Sequence, residues 1–213
     1  MNPEANPFFV VQVNAVPGED AELNRWYDEQ HFDDCLRCDS AVAAQRFRKE
    51  PGSGPGDYVY LALYEVSDPQ TFAENRKSKE GTPLLPRTDA LALPAHAFFY
   101  RPLPGHHGLL VRQERSSFYI EFVELGSATN PTELMKVRQR VLESDPMLGP
   151  SELMVVHRYQ ERQGWHAGGI IFAQLSDRAP EGWQSPAPAS EGTGLKVVEA
   201  GVYQPISPRK VAA

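Results

Sequence analysis

Cysteine is nearly missing from this chain, with two residues, Cys35 and Cys38, among 213. So few thiols exclude a disulfide framework as the source of its stability. No stretch of about 18 apolar residues occurs, which excludes an ordinary membrane-spanning helix. Positive charge is also in deficit: 21 Lys and Arg stand against 28 Asp and Glu, a formal net charge of -7. The basic residues are scattered, so a nucleic-acid partner is not expected, because phosphate binding draws its affinity from grouped Lys and Arg. G-x-G-x-x-G, the P-loop and the G-x-S-x-G nucleophile elbow are all absent. The opening "MNPEANPFFVVQV" has no basic leader and only a short apolar run. It reads as a first strand, and the expectation is a cytoplasmic protein without a membrane partner.

Hydrophobic residues make up 41% and aromatics 10%, enough to fill a core, and a chain of this length accommodates two units of about 100 residues. The first half alternates strand-like and helix-like patterns. "FFVVQVN" is rich in β-branched and aromatic residues and ends at the turn "VPGED". A helix follows from about Asp20 to Asp34. "AVAAQRFRKE" and "DYVYLALYEV" then form a hairpin across the glycine-proline loop "PGSGPG". "SDPQTFAENRKSKEG" opens a second helix with an Asp or Ser cap and Pro69 in its first turn, and "AHAFFYRPL" is a fourth strand. The order is β-α-β-β-α-β, the ferredoxin-like unit.

The second half repeats the order more faintly: "FYIEFVEL", then "NPTELMKVRQRVLES" with Asn130 as cap and Glu133 in a capping-box position, then "LMVVHRYQER", "GGIIFAQLSD" and "GLKVVEAGVYQPIS". Arg46-Phe47 matches Arg158-Tyr159, "YEVSD" matches "AQLSD" and "FYRPL" matches "VYQPI", which suggests an internal duplication. The expected fold class is α+β, with two tandem ferredoxin-like (βαββαβ) units packed sheet to sheet as an intramolecular dimeric α/β-barrel. The divisions are 1–103 for the first unit, 104–116 for a linker, 117–206 for a degenerate second unit and 207–213 for a tail. The segment Asp177 to Thr193 carries too much proline and glycine for a good helix and reads as a loop.

The stretch "NRWYDEQHFDD", Asn24 to Asp34, sets two aromatics and a histidine among acids. On a regular helix Asn24, Asp28, His31 and Cys35 share one stripe, flanked by Leu23 and Tyr27. Two readings follow from spacing. In one, His31 is a boundary residue beside a core of Leu23, Trp26 and Tyr27. In the other, the stripe is a polar lining beside an apolar pocket.

The run "VNAVPGEDAELNRWYDEQH", followed by "AAQRFR" and "YVYLALYEVSDP", resembles the EthD-type family of dimeric α/β-barrel proteins, in which a helix bearing Trp, Tyr and His precedes an Arg-Phe strand. The resemblance spans about Phe8 to Pro102; the second-half helix "LMKVRQRVLES" lacks the Trp, Tyr and His. It implies the fold, and one site per chain. Members include cofactor-free enzymes of aromatic and polyketide metabolism, heme-dependent relatives and proteins with no assigned activity.

Competing constellations are thinner. His31, Cys35 and Cys38 make an incomplete zinc set without a fourth ligand, and a redox C-x-x-C lacks its βαβ context. His96, His157 and His166 are the candidates for heme, with no local signature around them. No cofactor and no metal are therefore expected. The leading expectation is a cofactor-free acid/base enzyme, a cyclase, dehydratase, decarboxylase or isomerase, acting on a small apolar or aromatic carbonyl compound. His31 would move the proton and Asp28 would orient its ring. Asn24, Tyr27 and Arg46 would hold the substrate oxygen, while Trp26, Tyr60 and the strand aromatics Phe8, Tyr58, Phe98 and Tyr100 would form apolar walls. The alternative is a non-catalytic small-molecule-binding or accessory protein of an oxygenase or biosynthetic pathway. A homodimer is left open.

Overall fold

The computed structural model describes residues 5–105, 116–125, 130–156, 168–176, 183 and 194–212. Its elements in chain order are β1 (Phe8–Ala15), α1 (Asp20–Trp26), a π-helical turn (Tyr27–His31), α2 (Phe32–Leu36), β2 (Ala41–Lys49), β3 (Tyr60–Val66), α3 (Pro69–Lys79) and β4 (Leu91–Pro102). The second half supplies β5 (Phe118–Leu125), α4 (Pro131–Glu143), β6 (Leu148–Val156), β7 (Gly169–Leu175), β8 (Leu195–Pro205) and the short β9 (Lys210–Val211). The result is a mixed α/β protein with one large antiparallel sheet and few helices among the described residues.

The strand order is β3-β1-β4-β6-β7-β5-β8-β2-β9, and β3 also pairs with β2. The first eight strands therefore close a ring of pairings, which removes the exposed edges of an open sheet. Within the first half the order is β4-β1-β3-β2, and within the second it is β8-β5-β7-β6. The halves meet edge to edge through Tyr100 to Pro102 against Met154 to Val156, and through Phe47 to Lys49 against Tyr203 to Pro205.

Side chains alternate across each strand with period two, and β1 shows the consequence. Phe8 and Val10 join a cluster to which all eight ring strands contribute, including Phe47, Leu61, Tyr100, Ile120, Met154, Phe172 and Tyr203. That cluster fills the ring. Phe9 and Val13 point the other way, into a core shared with Leu23, Tyr27, Phe32 and Phe72 from the helices. On the second half, Met135 and Leu142 of α4 cover Tyr119, Val123 and Ile171 in the same manner.

Local signals match the helix starts. Asp68 accepts from the Gln70 amide with Pro69 behind it, and Asn130 accepts from the Glu133 amide ahead of Pro131, so each cap satisfies one otherwise orphaned donor. The first helix departs from expectation. The Phe32 amide donates to the Tyr27 carbonyl, five residues back, so the run is not the regular α-helix that the sequence stripe assumed. The extra residue lets Tyr27, His31 and Phe32 all be buried against the sheet, which a regular turn would not do for residues five apart, about 140° from one another.

The "PGSGPG" loop also does more than reverse the chain. It lies against β8: Ala200 donates to the Pro55 carbonyl and Val202 to the Ser53 hydroxyl, each over 2.9 Å. Lys49 Nζ donates to the carbonyls of Pro55 and Gly56. Gly56 has φ 93° and Glu199 Cγ stands 2.4 Å from where its Cβ would be; only glycine fits there. The linker core and most of the segment Asp177 to Thr193 lie outside the described residues, as do Arg158 and Tyr159.

Candidate functional site

The π turn and α3 bracket a cavity of about 330 Å³ on the helix side of the first-half strands. Its walls are mostly apolar: Phe9, Val11 and Val13 from β1, and Leu91, Leu93, Ala95 and Ala97 from β4. Trp26, Tyr27 and His31 form the side nearest the π turn, Tyr64 comes from β3, and Arg76, Glu80 and Arg87 carry its charge. Such a volume is at the small end of ligand pockets, roughly 300–1,000 Å³.

His31 is 8% exposed and stacks on Trp26, with ring centroids 4.0 Å apart. Tyr27 meets the same imidazole edge-on at 5.0 Å. Burial lowers the His31 pKa to about 3, and the guanidiniums of Arg76 and Arg46 push in the same direction. The ring is therefore neutral throughout the physiological range and is no general acid there. Its Nε2 lies 3.5 Å from Cys35 Sγ. Burial pushes the Cys35 thiol up to about 12, so sulfur keeps its proton. A neutral imidazole nitrogen accepts better than a thiol sulfur, and the favourable arrangement has Sγ–H donating to Nε2. The ring's own proton then sits on Nδ1, which has no partner. Trp26 Nε1 and the Tyr64 hydroxyl are likewise buried without a hydrogen bond of normal geometry. Burial raises the pKa of Tyr27 to about 12 and that of Tyr64 well above 10, so both phenols stay protonated. Unpaired buried donors are costly, about 1–3 kcal/mol each, and those of Trp26 and His31 belong to side chains around one cavity.

The remaining expected site residues sit elsewhere. Arg46 is fully buried and lines no part of the cavity. Its Nη2 donates to Asn24 Oδ1 at 2.9 Å, its Nη1 lies 3.6 Å from Asp28 Oδ1, and its Cζ stands 4.1 Å from the centroid of the Tyr27 ring. Asn24 and Asp28 are thus partners of Arg46, and Asp28 makes no hydrogen bond to His31 among those described. The reason is the π turn, which rotates His31 off the stripe that a regular helix would have shared with Asp28. Tyr60 donates to Asp20 Oδ1 at 2.6 Å and packs below Arg46. Phe8 and Tyr100 fill the ring interior. Sequence reasoning singled out Trp26, Tyr27 and His31, which the structure brings together, and missed Phe9, Tyr64, Arg76 and Glu80. The alternation of β1 and β3 would have placed Phe9 and Tyr64 on the helix side; no local motif marks Arg76.

Among the described residues, no group of three or more His, Cys, Asp or Glu side chains is placed to hold a metal ion. Cys35 and Cys38 are both buried and free, and the Cys38 thiol donates to the Asp34 carbonyl. His96 packs against Tyr58, while His157 and His166 lie outside the described residues. No helix among the described residues is long and apolar enough to cross a membrane.

No family model matches the chain, and no curated protein matches it. Solved structures do. An anthrone oxidase-like protein superposes with a TM-score of 0.69 at 11% identity, covering 100% of this chain and 95% of that one. A chlorite dismutase candidate, 10% identical over 95% of this chain and 96% of that one, gives 0.48. A monooxygenase candidate from Lactobacillus acidophilus, 10% identical over 99% and 97%, gives 0.45. The anthrone oxidase-like neighbour is named for an oxidation, and that overturns the expectation of a cofactor-free cyclase, dehydratase, decarboxylase or isomerase. Of the acid and base roles expected for His31, its lowered pKa leaves no acid role near neutral pH. At such identities the likeness is one of fold: this chain has a fold of the dimeric α/β-barrel type.

Proposed function

We propose that the protein binds a small, flat, electron-rich aromatic compound in the cavity beside the π turn and promotes its oxidation by dioxygen. The observation that carries this reading is the cavity itself: apolar strand walls on one side, and on the other the Trp26–His31 stack, with Arg76 on the lining. A phenol or enol substrate becomes reactive toward dioxygen as its oxyanion, and a guanidinium held on an apolar wall, as Arg76 is here, lowers the cost of forming that anion. The anthrone oxidase-like neighbour supports the choice of chemistry. In such a reaction on anthrone, the ring methylene loses two hydrogens and gains one oxygen atom. The second oxygen leaves as water, and four electrons pass to dioxygen.

The same reading takes the chain as two ferredoxin-like units, 1–103 and 117–206, joined as an internal pseudo-dimer. Support comes from the equivalent strand orders β4-β1-β3-β2 and β8-β5-β7-β6. The site belongs to the first unit, and the EthD-type likeness rests on "NRWYDEQH" there.

Dioxygen uptake with anthrone tests the reaction. Purified protein should accelerate uptake above the buffer rate, consume one dioxygen per anthrone and yield anthraquinone. Trp26→Ala should abolish the acceleration. Uptake equal to the buffer rate at all protein concentrations would sink the oxidase reading.

A further inference from the structure

Two guanidiniums and a single carboxylate carry the charge of the cavity. Glu80 lies 3.4 Å from Arg76 Nη1 and 3.5 Å from Arg87 Nη2, and among the described lining residues no other carboxylate is present. One positive charge is left uncompensated in a pocket of a protein whose net charge is -7. The Arg76 side chain is 27% exposed, and its Cζ stands 5.4 Å from the Phe9 ring centroid, so its charge lies against an apolar wall. It is close enough to His31 to help keep that ring neutral.

The other hydrogen-bonding side chains on the lining are those of Trp26, Tyr27, His31, Tyr64 and Thr88, and Trp26 Nε1 can only donate.

From this juxtaposition we infer that the cavity selects aromatic ligands that carry an anionic oxygen, a carboxylate or an acidic phenol, with Arg76 as the residue that discriminates for the charge. The aromatic body lies along Phe9, Val11 and Leu91, and the anion takes the counter-ion position that Glu80 leaves open between Arg76 and the π turn. A fork of guanidinium donors matches a carboxylate in shape as well as charge. This inference rests on the cavity being the substrate site, but not on the reaction being an oxidation.

A matched pair of probes tests it: 2-naphthoate and neutral 2-naphthamide, titrated into the full chain while Trp26 fluorescence is followed. Trp26→Phe identifies the signal by its loss. Naphthoate should bind at least tenfold more tightly than naphthamide, and the ratio should fall to near one in Arg76→Gln while Arg76→Lys keeps part of it. Glu80→Gln, which removes the competing carboxylate, should raise the ratio several-fold. Equal binding of both probes, or a preference that survives Arg76→Gln, overturns the inference. If Arg76→Gln fails to fold by circular dichroism, Glu80→Gln decides: a ratio unchanged or lowered there overturns it as well. A preference for naphthoate in a protein that takes up no dioxygen with anthrone would leave this inference standing and remove only the oxidase reading.

Discussion

Trp26 lies flat against His31, with centroids 4.0 Å apart and planes 22° from parallel, across a gap of five residues in sequence. That gap is the i to i+5 spacing of the π turn. The stack is thus a product of the irregular backbone, and it aligns Trp26, Tyr27 and His31 along one cavity wall.

His31 should not titrate between pH 5 and 9, because burial and two nearby guanidiniums hold its pKa near 3. Nitrogen NMR of labelled protein should show a neutral imidazole protonated at Nδ1 across that range, and Cys35→Ala should release Nε2 and alter the tautomer. Folding depresses this pKa from its usual 6.5, so between about pH 3 and 6.5 the unfolded chain binds the extra proton. The His31 contribution to stability is therefore fully present above pH 6.5 and is lost as the pH falls toward 3. A tenfold change in proton affinity is about 1.4 kcal/mol, which makes the whole effect several kcal/mol. Denaturant titrations of wild type and His31→Gln should diverge in that window, with the variant losing less. A His31 that titrates near 6.5, or parallel acid limbs, would contradict its buried placement.

Arg46 and Asp28 should behave very differently although they face each other. Arg46 is sealed under the π turn and holds Asn24, whereas the Asp28 side chain is 47% exposed at 3.6 Å. Arg46→Met strips the partner from Asn24 and the cation from the Tyr27 face. Breaking a buried charged cluster typically costs about 3–5 kcal/mol. Asp28→Asn should cost less than about 1 kcal/mol, as for exposed pairs. Chemical denaturation measures both, and comparable losses would mean that the pair, and not the burial of Arg46, holds the turn.

Gly52 and Gly56 separate backbone strain from steric conflict. Both have positive φ, 72° and 93°, but a Cβ at Gly52 meets nothing within 4 Å while one at Gly56 would strike Glu199. Each change to alanine should carry the left-handed penalty of about 1–2 kcal/mol. Gly56→Ala should cost more and also disturb the Lys49–Glu199 pair, 3.9 Å apart. Equal melting temperatures for the two variants would show that the loop is not pressed onto β8 in solution.

Much of this molecule is set by local chemistry. Asp68 with Pro69, and Asn130 with Pro131, fix two helix starts because each cap needs only neighbours in sequence. The alternation of "FFVVQVN" determines that Phe8 and Phe9 face opposite sides of a sheet. The aromatic cluster of "NRWYDEQH" likewise marks the element that lines the cavity. Other decisions belong to the tertiary structure. The π turn has no sequence signature and forms where Tyr27, His31 and Phe32 must all reach the same core. Arg46 looks like a ligand for substrate in sequence, yet it is enclosed, because the strand face that carries it is the one the helix covers. Arg76 pairs with Glu80 one helical turn on in sequence, but gains its place on the cavity wall only through Phe9 and Arg87, which the chain brings to it from outside its own helix. The proton affinity of His31 is decided in the same way: an imidazole free in water has a pKa near 6.5, and only desolvation and the guanidiniums that folding gathers around this one remove its charge.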